Sequence, residues 1–348
     1  MRRKVMTAHV GTFHSEDDIL NTLGRYFPLR KPGILLGRGD DCALLPAGKP
    51  LSVSTDLFLE DVHFRRSYCS AEEIGHKALA CNISDLAACG TRPLAFTLNL
   101  GLPADLDNAW FNAFLSGMGS LAAKYNMTLI GGDLSRTRDL QISVTVMGEV
   151  IGEGAFLSRG GSMPGDVIFV VGALGLARVG LQELEAHGRE AVQEWPKACQ
   201  ALLKPEPRVD AGLMLARVAM NARPPALMDV SDGLVRDLPR LLGQTGEMGV
   251  WGEHGSGLGA ELIIPAGLLQ AELLEWSRRH GRNPVHEALI GGDDYALLGS
   301  CAPDMLSALH AAIPDFWEIG VVTEGEAIYC NREPLSSLEG FDHFSSQG

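Results

Sequence analysis

Apolar runs in this chain repeatedly end in, or close around, a carboxylate. Leu51-Ser52-Val53-Ser54-Thr55-Asp56 terminates on an acid, and Ala78-Leu79-Ala80-Cys81-Asn82-Ile83-Ser84-Asp85-Leu86-Ala87 carries one in its interior. Four more acidic motifs sit beside glycine or a hydroxyl residue: Gly39-Asp40-Asp41, Gly131-Gly132-Asp133, Asp229-Val230-Ser231-Asp232-Gly233 and Gly291-Gly292-Asp293-Asp294. Burying an unpaired carboxylate is expensive, so the fold must supply each with a partner or a cation. Hard divalent cations such as Mg2+ take oxygen ligands from one or two carboxylates, with water and phosphate completing the shell. Any one motif is accounted for as a turn or a helix cap. Six together, several of them at strand ends where binding groups concentrate, point to a multi-metal phosphate site.

Charge supports that reading. Acidic residues outnumber basic ones by 43 to 29, a formal charge of -14, which argues against a nucleic-acid or anionic-membrane surface. The same charge repels a polyphosphate unless cations stand between the two. The basic start Met1-Arg2-Arg3-Lys4 runs into the polar, acidic segment Gly11 to Asp18 and lacks a signal-peptide apolar core. No apolar run reaches membrane-spanning length. Seven cysteines, an odd number without Cys-x-x-Cys spacing, indicate neither a disulfide framework nor a zinc site, so a cytoplasmic protein is expected.

At 348 residues two domains are expected, an N-terminal half over 1–150 and a C-terminal half over 151–348, divided by the turn-rich stretch from Gly152 to Gly165. Periodicity predicts mixed α and β structure in both. In the first half, helices are expected over 15–27, 71–89 and 107–125, and strands over 51–56, 96–102, 127–130 and 141–150. In the second, strands are expected over 167–171, 226–230, 262–264, 295–298 and 318–322. Its helices are expected up to 186, from 208, over 234–242, near 266–279 and over 304–312. Asn82 and Asp85, three apart, share a helix face. The Gly-x-x-x-x-Gly-Lys-Ser/Thr phosphate loop is absent, and Gly37-Arg38-Gly39 lacks the third glycine of a dinucleotide fingerprint.

In order along nearly the whole chain, Gly39-Asp40-Asp41-Cys42-Ala43, Ser54-Thr55-Asp56 with His63-Phe64, the segment Lys77 to Ala88, Gly131-Gly132-Asp133, Asp229 to Leu234 and Gly291-Gly292-Asp293-Asp294-Tyr295 closely resemble the thiamine-monophosphate kinases. The resemblance implies a two-domain α/β fold of the aminoimidazole ribonucleotide synthetase type and a homodimer. It also implies ATP-dependent phosphorylation of thiamine monophosphate to thiamine diphosphate with several Mg2+ ions. By that resemblance Asp41, Ser54, Thr55, Asp56, Asp85, Asp133, Asp229 and Asp232 fall on metal positions. Gly132, Asp133, Arg159 and Ser231 fall on ATP positions, and His63, Asp293 and Phe341 on substrate positions. Asp56, Asp133, Arg159 and Asp232 are the catalytic candidates.

Three departures stand out. Arg159-Gly160-Gly161-Ser162 replaces the family's Arg-Ser-Gly-Ala, which predicts a looser turn. Asp293 replaces a Glu, and Asp61 stands where glycine is common. Two alternatives are kept beside the kinase: another ATP-dependent synthetase of the superfamily, and a non-catalytic divalent-metal-binding protein. The first cysteine, Cys42, lies inside an acidic motif, unlike the N-terminal reactive residue of selenophosphate synthetases. The tail Ser345-Ser346-Gln347-Gly348 lacks the cysteine of a hydrogenase-maturation relative.

Overall fold

Alternating burial along Gln141–Val150 marks a strand with one face on a core and the other turned outward. It is the middle of the first of two sheets in the computed structural model, which describes residues 35, 41–151, 156–219, 222–244, 257–338 and 340. The helix expected over 15–27, Gly39-Asp40 and Phe341 lie outside these residues.

The first half is built from β1 (Ala43–Ala47), β2 (Lys49–Leu59), α1 (Ala71–Ala88), β3 (Thr91–Leu102), α2 (Asn108–Lys124), β4 (Thr128–Arg136) and β5 (Gln141–Val150). Its sheet runs β1-β2-β5-β3-β4, with every neighbour antiparallel except the β3–β4 pair. α1 begins in a reciprocal capping box between Ser70 and Glu73, and Asp107 caps α2 by accepting the Trp110 N–H at 2.7 Å. The two helices cross backbone to backbone. A Cβ on Gly75 would overlap the Phe114 carbonyl, and one on Gly117 would overlap that of Glu72.

Beyond Asp166 come β6 (Val167–Val171), α3 (Leu176–His187), the short α4 (Ala191–Glu194), α5 (Pro196–Leu203), α6 (Val209–Val218), β7 (Ala226–Asp229) and α7 (Leu234–Leu241). Then follow β8 (Leu258–Leu262), α8 (Ala271–His280), α9 (Pro284–Ile290), β9 (Leu297–Cys301), α10 (Leu306–Ala312), β10 (Phe316–Glu324), β11 (Ile328–Cys330) and β12 (Glu333–Pro334). These strands form a second sheet in the order β12-β11-β8-β10-β6-β9-β7. One apolar core lies between the second sheet and the helices of the second half. The other joins α1, α2 and the first sheet to Phe169, Leu227, Leu297 and Phe316 of the second, so the two halves share buried surface.

Most expected elements are present, and the differences have local causes. The strand expected to stop before Gly131-Gly132 continues to Arg136, because Gly132 lies against Leu98 where a Cβ would clash with the carbonyl. The strand expected from Tyr295 starts at Leu297, since Tyr295 has φ +48 and cannot join a ladder. Gly259 approaches the Gly325 and Ala327 carbonyls more closely than any side chain would allow, which draws β8 upstream to Leu258–Leu262. Periodicity predicted none of α4, α5 or α9, each a short helix.

Candidate metal and phosphate site

Three carboxylates from distant parts of the chain meet where the halves join. Asp41 precedes β1, Asp85 lies near the C-terminal end of α1 and Asp229 ends β7, and oxygens of all three lie within 4.8 Å of one another. Asp41 and Asp229 are buried and Asp85 is partly exposed. Burial, then the charges of Asp56, Asp229 and Asp41, push the Asp85 carboxyl well above the usual range. Burial and then Asp41 do the same to Asp229. Asp56 is open to solvent by area yet densely surrounded, and this crowding, followed by the charge of Asp41, lifts it to about 6. Three like charges forced this close are relieved by a cation, which inverts the local balance.

The oxygen donors around this group fit Mg2+. Ser54 donates to Asp85 Oδ2 at 2.6 Å, which turns the β2 hydroxyl toward the same point. On α1, the buried Asn82 Oδ1 accepts no hydrogen bond. The buried Ser84 hydroxyl faces Asp229 without closing a bond of normal geometry. Oxygens that protein donors leave unsatisfied suit a hard cation.

Arg159 is a fixed positive charge here. Its guanidinium bonds Asp41 Oδ1 through Nη2 and, at 3.2 Å, through Nε. The Leu227 N–H donates to the Ser158 carbonyl at 2.8 Å, aligning the segment with β7. The turn after Arg159 is braced, contrary to the looseness its sequence predicts. Arg223 donates to the Gly161 carbonyl at 2.7 Å, and the Ser162 hydroxyl, where the family has Ala, accepts from Ser300 at 2.8 Å.

Strand alternation separates the remaining candidates. Ser54 and Asp56 pair with Val146 and Val144 on the helix-covered face of the sheet. Thr55 and Asp133 share the opposite face. Thr55 lies opposite Thr145, and the row Leu57, Ser143, Asn99, Asp133 crosses the sheet. Asp133 is therefore three strand spacings from β2, roughly 14 Å, and is not brought into the carboxylate group within one chain.

The second half adds two adjoining loops. Asp293 N–H donates to the Ser231 carbonyl at 2.8 Å and Tyr295 N–H to that of Val230 at 3.0 Å, joining the two acidic motifs. Asp237 accepts the Ser231 and Asp232 N–H groups, both at 3.1 Å, and Arg240 donates to Asp232 at 2.6 Å. His63 Nδ1 accepts the Leu59 N–H at 3.0 Å, which places its proton on Nε2.

Sequence reading missed Lys77, Asp237, Arg240 and Asp294 as shapers of this site. A signal existed for Asp237, which falls on the apolar stripe of Leu234, Leu238 and Leu241.

Residues 39–150 match the family model of the AIR synthase related protein, N-terminal domain. A solved structure described as AaThiL complexed with AMPPCP and TMP superposes with a TM-score of 0.79 at 31% identity, covering 95% of this chain and 97% of that one. The thiamine-monophosphate kinase of Stenotrophomonas maltophilia K279a gives 0.70 at 36% identity, covering 90% and 96%. Two sheets carrying one acidic group at their junction place the chain in the AIR synthase-related class. Within it, the Aquifex aeolicus thiamine-monophosphate kinase is 33% identical over 307 residues, 88% of this chain and 92% of the relative. The chain belongs to the thiamine-monophosphate kinase family.

Proposed function

We infer that the protein is an enzyme that transfers the γ-phosphoryl group of ATP to thiamine monophosphate, giving thiamine diphosphate. The observation that carries this is the carboxylate group assembled from both halves, Asp41 and Asp85 with Asp229. Family membership gives it a substrate.

We assign Asp41, Ser54, Asp56, Asp85, Asp229 and Asp232 to Mg2+ on the inner face, with Thr55 and Asp133 serving from the outer one. Bound there, Mg2+ neutralises phosphate charge and orients the reacting oxygens. Arg159 supplies a permanent cation beside the transferring group, and Ser231 with Gly132 and Asp133 contacts ATP. His63 donates its Nε2 proton to the acceptor phosphate, and Phe341, outside the described residues, is assigned to the thiamine moiety by the resemblance. No side chain has to act as base, because a phosphate monoester with a second pKa of about 6 is already largely dianionic at neutral pH. Positioning and charge stabilisation then carry the rate.

A homodimer completes this reading. β4 is an edge strand with Leu129, Ile130 and Leu134 exposed, and Leu57 is exposed on the outer face. Such an edge invites another chain. Asp133 belongs to that strand, so a second copy is the route by which it reaches a metal group. Sheets confined to each half support the division at about residue 150. Thiol cysteines support the cytoplasm, and among the described residues no helix is long and apolar enough to cross a membrane.

The test is product analysis with ATP and Mg2+, offering thiamine monophosphate or free thiamine. Transfer to the monophosphate alone is expected. Equal use of both, or transfer to neither, overturns the assignment.

A further inference from the structure

α1 is apolar for most of its length, yet Lys77 is 4% exposed in it. A buried ammonium is tolerated only when paired. Its Nζ donates to Asp293 Oδ2 at 2.9 Å, across 216 residues of sequence. Tyr295 donates its hydroxyl hydrogen to Asp293 Oδ1 at 2.8 Å, and Cys81, one turn beyond Lys77, donates to the Tyr295 oxygen at 2.9 Å. The Phe58 ring lies 5.9 Å from Nζ and stacks on His63. Each Asp293 oxygen thus already accepts one hydrogen bond, from groups that have nothing to do with a thiamine ring.

The backbone shows what this network holds. Asp293 has φ +63 and Tyr295 φ +48, left-handed conformations that side chains rarely adopt and that persist only when their surroundings impose them. Between them Asp294 points the other way, accepting the Gly175 and Ala177 N–H groups at the start of α3. The same segment is backbone-bonded to Val230 and Ser231. Lys77 and Asp85 ride on one helix, while Asp293 rides beside Asp229 and Asp232.

We propose that Lys77 is a positioning residue that clamps the 291–295 segment onto α1 and so sets the spacing between the acidic groups of the two halves. Asp293 is the receiving end of that clamp and not a substrate ligand. The proposal rests on the kinase reading for its kinetic arm only. Displacing reacting groups by about 1 Å costs up to ~100-fold in rate.

The test compares Lys77→Met and Lys77→Arg with the unsubstituted protein. In the metal-free, nucleotide-free protein, Lys77→Met is expected to raise hydrogen exchange at the Asp293 and Tyr295 amides about tenfold or more while α2 is unchanged. Per folded molecule kcat is expected to fall about tenfold to 100-fold with KM for thiamine monophosphate little moved, and Lys77→Arg to recover a substantial part. Unchanged exchange at 293–295, or a kcat within about twofold of the original, overturns the clamp. A selective rise in KM for thiamine monophosphate at unchanged kcat overturns it in favour of direct substrate binding. If Lys77→Met does not fold, Asp293→Asn removes the charge pair with its shape kept and is read by the same criteria. Absence of kinase activity in the unsubstituted protein strikes the functional reading, and the exchange experiment still decides the clamp.

Discussion

Asp61 shows how one residue carries backbone strain to position another. It has φ +63 in the turn from Leu59 to Phe64, its N–H donates to the Phe64 carbonyl at 2.8 Å, and the turn presents His63. Glycine, common here in relatives by resemblance, adopts this conformation without strain. Asp61→Gly is expected to stabilise the protein by about 0.5–1 kcal/mol, the ~1–2 kcal/mol of left-handed strain less the freedom glycine adds to the unfolded chain. Denaturant unfolding checks it; a lower midpoint overturns the account. At this scale the sequence was legible where acids fall in short motifs that also carry glycine or a hydroxyl residue, as at Asp41, Asp85 and Asp229, which the fold brings together. It was silent on Lys77, whose partner Asp293 is 216 residues away, because a pairing over that distance leaves no local pattern.

Among the elements, α3 starts without a side-chain cap of its own: Gly175 stands at the N-cap, and the acceptor comes from Asp294 far along the chain. Burial raises the Asp294 carboxyl from 3.8 to about 7, against the opposing N–H groups of Gly175 and Ala177. A carboxyl whose folded pKa exceeds its unfolded value stabilises below the unfolded pKa, and that contribution is lost as pH rises through the folded one. Asp294→Asn does not titrate and turns an amide toward an N–H, so it is expected to be less stable than the parent near pH 5. The gap should narrow as pH rises from about 5 to 8. Unfolding midpoints of both proteins across that range test this, and a gap that widens with pH refutes it. Element reading from sequence succeeded where periodicity ran long, as in α1 and β5. It failed at Gly132 and Tyr295, where the deciding factor is contact with another strand or a left-handed φ, and at α4, α5 and α9, which are short.

For the whole molecule the governing quantity is the charge of -14, part of it crowded into three carboxylates at the junction of the halves. Asp85→Asn removes one charge from that group while keeping an oxygen for the Ser54 hydroxyl. Near pH 8 the metal-free variant is expected to be more stable than its parent by roughly 1–2 kcal/mol, and to lose turnover. Calorimetry with and without Mg2+ and an ATP analogue checks both, since the stabilising effect of the ligands should fall in the variant. A variant that unfolds earlier but keeps its specific activity per folded molecule would favour a purely structural metal. Assembly is tested by Ile130→Asp on the exposed edge strand. Sedimentation is expected to move from dimer to monomer with activity falling in parallel, and an unsubstituted chain that sediments as a monomer at assay concentration refutes the dimer.

Gly75 and Gly117 carry no charge, donate nothing from a side chain and touch no phosphate, yet α1 is seated through them. A single methyl at Gly75 meets the Phe114 carbonyl, so the helix has to slide, and Lys77, Cys81, Ser84 and Asp85 slide with it. A saturation scan scored for turnover should therefore rank these two positions with the acids themselves. Tolerance to mutation in this enzyme follows the clearance between backbones, and a map of chemical groups alone would leave two of its most vulnerable positions blank.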